Sequence, residues 1–87
     1  MTFVTGAMEV ELSGVSIRRN RGLSYSLNPA KENGTITIRN ASPHHWGAVT
    51  LNENAEEREV KLSRGETLKE TIEGRATLIL ENPQALP

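Results

Sequence analysis

From Met8 to Ser13 the chain reads apolar, acidic, apolar, acidic, apolar, polar, and this period of two recurs along most of its length. Side chains of an extended strand alternate between its faces, so each such run buries one face and wets the other. Leu23, Tyr25 and Leu27 alternate with Ser24 and Ser26, and Ile36 and Ile38 alternate with threonines. Val49 and Leu51, then Val60 and Leu62, then Ala76, Leu78 and Leu80 repeat the pattern, while Leu68 and Ile72 share a face with Glu70. No segment carries a convincing helical period.

Turn chemistry punctuates these runs at Asn28-Pro29, Asn33-Gly34, Ser63-Arg64-Gly65-Glu66 and Asn82-Pro83. Gly65 sits where a positive φ suits the turn. The apolar parity flips at Gly14, which predicts a bulge or bend there. Residues 18–22 read as a basic turn, residues 52–57 as a polar loop with the strand resuming near Glu59, and Glu73-Gly74 as a tight hairpin turn. Seven or eight short strands about 8–12 residues apart predict an all-β fold. The expected form is a small single-domain antiparallel β-sandwich, immunoglobulin-like in architecture, or a small barrel. Residues 8–81 form the expected domain, with an N-terminal arm over 1–7 and a C-terminal tail over 82–87.

The run from NGTITIRNASPHHWGAVTLNE to LSRGETLKETIEGRATLILEN resembles the strand-and-loop rhythm of cupredoxin-like sandwiches. There a polar strand leads into a histidine-bearing loop, and a later turn has a Pro-Gly-Glu flavour. The resemblance covers about half of the chain and implies a sandwich. It does not extend to copper, because the ligating cysteine is missing and no His-Met pair follows the last strand.

Composition narrows function mostly by exclusion. With 87 residues, the chain buries about 60% of its unfolded surface. Its aromatic side chains are only Phe3, Tyr25 and Trp46. Without cysteine, neither disulfides nor thiolate zinc sites can reinforce so thin a core. Burial against a partner would help, which leads to the expectation of an assembly component. The formal net charge of −1 argues against general affinity for nucleic acid or membranes. MTFVTGAMEVEL has no basic region and no continuous apolar run, so it is not expected to be a signal peptide or an anchor. All 11 acidic residues are glutamates, which excludes Asp-based calcium loops and an Asp-oriented catalytic triad.

ASPHHWGAVT, residues 41–50, holds both histidines and the single tryptophan. Adjacent histidines in a strand point to opposite faces and rarely share an ion, so no metal or other cofactor is expected. Ser42 near His44 lacks an orienting aspartate and a nucleophile-elbow motif, so no enzyme is expected. Two readings of the loop remain. In one, Pro43 fixes φ, Gly47 relieves strain and Trp46 plugs the core. In the other, His44, His45 and Trp46 form an exposed binding loop, with Trp46 as an aromatic anchor or a platform for a sugar ring.

Arg18, Arg19 and Arg21 supply guanidinium forks for carboxylates or phosphate. Glu53, Glu56, Glu57 and Glu59 stand opposite in charge, so copies could associate head to tail. Phe3, Val4 and Leu86 lie outside the alternating runs and are expected to be clamped by a partner or by neighbouring copies. Asn33-Gly34-Thr35 and Asn40-Ala41-Ser42 match the glycosylation sequon, and both are discounted as chance matches. The partner-binding set expected from sequence is thus Phe3, Arg18, Arg19, Arg21, His44, His45, Trp46 and Leu86. The expected function is that of a non-enzymatic structural protein of a large assembly, in its most concrete form a bacteriophage capsid decoration (cement) protein. It would work with a protein partner or with its own copies, in the latter case as a homo-oligomer. Its expected place is the virion, assembled in the host cytoplasm, or otherwise the cytoplasm. The alternative is a free β-sandwich module that binds carbohydrate or peptide through Pro43–Trp46.

Overall fold

The computed structural model describes residues 1–30 and 33–83. Nine strands follow one another: β1 (Thr2–Thr5), β2 (Met8–Ser13), β3 (Val15–Arg21), β4 (Ser24–Pro29), β5 (Gly34–Asn40), β6 (Gly47–Glu53), β7 (Glu56–Leu62), β8 (Thr67–Ile72) and β9 (Ala76–Glu81). They form a four-stranded sheet in the order β1-β2-β5-β8 and a five-stranded sheet in the order β3-β4-β9-β6-β7. Every paired strand is antiparallel. The expected all-β sandwich is therefore what the chain forms. The two separate sheets exclude the closed barrel.

Alternation decides which face of each sheet is dry. In the four-stranded sheet, Phe3, Val10, Ile38 and Leu68 stand side by side in one inward row. In the five-stranded sheet, Tyr25, Leu78, Leu51 and Arg58 form a comparable row. Met8, Val10, Leu27, Ile36, Ile38, Leu62, Ile72 and Leu78 are the largest apolar side chains that are almost wholly buried between the sheets. At one open side of the sandwich the Phe3 and Tyr25 rings meet with centroids 5.1 Å apart. At the other, Arg58 reaches from β7 to Glu70 on β8 at 3.3 Å, over a slot lined by Val60 and Leu68.

Several local expectations change once the strands are assigned to sheets. The parity flip at Gly14 is the crossing from β2 in one sheet to β3 in the other, with φ at +66°. Glycine adopts that conformation without steric cost. The bulge lies instead at Arg18, between the Ile17 and Arg19 registers. Glu73-Gly74 is likewise a crossing between sheets, from β8 to β9, and not a hairpin turn. The Glu53 carboxylate holds that corner by accepting the Glu73 and Gly74 amides at 2.8 and 3.3 Å. The loop expected over 52–57 shrinks to Asn54-Ala55, both at positive φ (54° and 62°), as a two-residue hairpin requires. Strand β7 accordingly starts at Glu56 rather than near Glu59. Gly65 takes the expected positive φ of +76°.

The expected N-terminal arm is a strand. Thr2 to Thr5 pair in register with Glu11 to Met8, and the Met1 ammonium donates to the Leu12 carbonyl at 2.8 Å. Phe3 is half-buried against the core, and Val4, on the opposite face, stays 63% exposed. Pairing satisfies the outer edge of β2, and alternation then turns Phe3 inward.

Candidate functional site

The loop from Ala41 to Trp46 carries the chain from β5 to β6, and so from one sheet to the other. Its geometry is set by Asn40, the last residue of β5, which is fully buried. The Asn40 Nδ2 donates to the carbonyls of His45 and Leu62, each at 2.9 Å. Its Oδ1 accepts the Ser42 amide at 2.9 Å. Its backbone amide donates to the Glu66 carbonyl at 2.9 Å, and its carbonyl accepts the Gly65 amide at 2.7 Å. One side chain and its backbone thus bind the start of the loop, the end of the loop and the β7–β8 turn. Fully satisfied polar networks of this kind rigidify what they join. Inside the loop, Ser42 Oγ accepts the His44 and His45 amides at 3.4 and 3.1 Å.

Asn40 stands outside the site residues expected from sequence, which names it only in a discounted sequon. Its signal was present in the sequon Asn40-Ala41-Ser42, which is in fact an Asn-centred turn at a strand end. The same burial removes Asn40 from reach of any glycan.

Trp46 does not plug the core. It is 53% exposed, and the Lys61 ammonium lies 4.3 Å from its ring centroid. Trp46 precedes β6 at the parity of Ala48 and Thr50, opposite to the inward Val49 and Leu51. The residue of inward parity beside it is Gly47, where a Cβ would lie 2.8 Å from the Glu81 carbonyl oxygen. The backbones pass too closely there for a side chain, so the aromatic bulk falls outside. A cation resting on an indole face holds the ring by its quadrupole.

His44 is exposed and His45 half-buried, with their rings edge to face at 6.2 Å. No group of three His, Cys, Asp or Glu side chains suited to a metal ion occurs among the described residues. Ser42 is buried, with its hydroxyl oxygen turned to backbone amides and not to an imidazole. The loop is a stiffened presentation of Pro43, His44 and Trp46 to solvent.

The other expected site residues lie elsewhere. Arg18, Arg19 and Arg21 belong to β3 and not to a turn; the turn that follows is Gly22-Leu23. All three are exposed, along an edge of the five-stranded sheet. Asn20 among them donates to the carbonyls of Gly22 and Ser24 at 2.9 and 3.3 Å, closing that hairpin. Phe3 is half-buried and packs against the Tyr25 ring within the chain. Leu86 lies outside the described residues. No helix among the described residues is long and apolar enough to cross a membrane. No protein-family model, curated protein or solved structure matches the chain.

Proposed function

We propose that this protein acts by binding and not by catalysis, as a structural component of a larger assembly. The most concrete form of this reading is a bacteriophage capsid decoration protein, carried on the virion. The observation that supports binding is Trp46, 53% exposed on a loop fastened by Asn40 and Ser42. An aromatic side chain held in place before contact loses little freedom on binding, and tryptophan is enriched where interface energy concentrates. The N-terminal arm expected from sequence no longer supports this reading, because Phe3 packs against the chain's own core.

The test is gradient sedimentation of particles from the native source, probed with antibody to this chain. The assembly reading requires the chain to travel with particles, and Trp46→Ala to lose that association while remaining folded. A chain that stays at the top of the gradient overturns it. A glycan or peptide bound by the isolated protein through Trp46 would point instead to a free binding module.

A further inference from the structure

In the five-stranded sheet, Arg19 and Arg21 on the β3 edge and Glu57 and Glu59 on the β7 edge are opposite in charge, and common register rows connect them. Arg21 stands beside Ser24, which stands beside Ile79, then Thr50, then Glu59. One row along, Arg19 leads through Ser26, Thr77 and Asn52 to Glu57. Each row begins in an exposed arginine on β3 and ends in an exposed glutamate on β7. Four successive antiparallel pairings separate the edges, so β3 and β7 run in the same direction.

We infer that β3 of one copy docks beside β7 of the next, in parallel, so that Arg19 meets Glu57 and Arg21 meets Glu59 and the sheet continues from copy to copy. A charged edge ordinarily repels a neighbouring strand. Arginine on arginine opposes the pairing of two β3 edges, whereas β3 on β7 is complementary at both rows. The contact is heterologous and generates a ring or a filament according to the twist between copies. The bulge at Arg18 interrupts the ladder and confines regular pairing to Arg19–Arg21. So short a contact is weak and depends mainly on charge. The formal net charge of −1 imposes little overall repulsion. The docked edge adjoins the Trp46 loop, because Lys61 of β7 lies against the Trp46 ring, but the inference rests on the charged rows alone and stands whether or not the decoration reading does.

Sedimentation velocity of the full chain tests it, at about 0.01 M and about 1 M salt, where screening lengths are about 30 and 3 Å. Association that grows with protein concentration is expected at low salt, with the apparent Kd rising at least about tenfold at high salt. The double variants R19E/R21E and E57R/E59R should each sediment as monomers, and their equimolar mixture should associate again. That recovery also shows that both are folded. R64E/R75E, with the same net charge as R19E/R21E but both edges intact, should associate as the unaltered chain does. An unaltered chain that stays monomeric at low salt overturns the inference. So does R19E/R21E associating undiminished, or a mixture that remains monomeric.

Discussion

The Asn40 amide spans from the His45 carbonyl to the Leu62 carbonyl, 2.9 Å from each, and so ties the β5–β6 loop to the end of β7. Asn40→Ala removes both donors and the acceptor of the Ser42 amide, all in or near the interior. A buried group left without a partner costs about 1–3 kcal/mol. For a domain this small, each kcal/mol lowers Tm by about 4–8 °C. Thermal unfolding should show that loss, and amide exchange should rise at Ser42 and across the loop. An unchanged melting curve would mean that the network carries no stability.

Trp46 fluorescence reports directly on the loop, because the chain has a single tryptophan. An indole 53% exposed should emit close to its fully solvated maximum and be quenched readily by iodide. Unfolding in guanidinium should then move the maximum little. Trp46→Ala should leave Tm nearly unchanged, since surface substitutions are usually worth within about 0.5 kcal/mol. A blue-shifted, protected emission would place the ring inside.

Removing residues 1–6 should lower Tm, because the deletion strips β1 from β2 and takes Phe3 from Tyr25. Phe3→Ala alone should cost about 1–1.5 kcal/mol, about half of the roughly 1.5–3 kcal/mol for full burial, since the ring is half-buried. Chemical denaturation of both variants checks this. A trimmed chain as stable as the full one would restore the picture of a dispensable arm.

Glu53 should behave as a structural carboxylate despite its place in an acidic stretch. It accepts two backbone amides at the β8–β9 corner, and its side chain is only 15% exposed. Glu53→Ala should cost about 1–3 kcal/mol, the scale of hydrogen bonds to a charged acceptor, whereas Glu53→Gln keeps an acceptor and should lose less. The exposed pair of Arg39 and Glu9 contrasts with it, and Glu9→Gln should cost under about 1 kcal/mol. Equal losses at Glu53 and Glu9 in urea melts would contradict this ranking.

Ala55 occupies a left-handed position, φ 62°, in the β6–β7 hairpin. An L-residue pays about 1–2 kcal/mol there, and glycine escapes that cost while gaining freedom when unfolded. Ala55→Gly should therefore stabilise by about 0.5–1 kcal/mol and raise Tm by a few degrees. A lower Tm would show that the turn is not the strained point.

Period-two alternation alone was enough to place most strands and to name their inward residues: Val10 and Leu12, Tyr25 and Leu27, Ile36 and Ile38, Leu78 and Leu80. Alternation is a local property, set by the pleat of a single strand, so it can be read without knowing the neighbour. Which strands share a sheet is not local. Gly14 and Glu73-Gly74 looked like a bulge and a hairpin, and both are crossings between layers, because a turn dipeptide does not reveal which partner offers the next hydrogen bonds. The same limit hid the site. Asn40 looked like one more polar strand residue until β7 and the loop closed around it, and Trp46 was ambiguous until the close approach of Gly47 to Glu81 left its ring outside. Opposite charges on β3 and β7 were legible as composition. Their standing at the two ends of common register rows depends on three intervening strands, and only the assembled sheet supplies that.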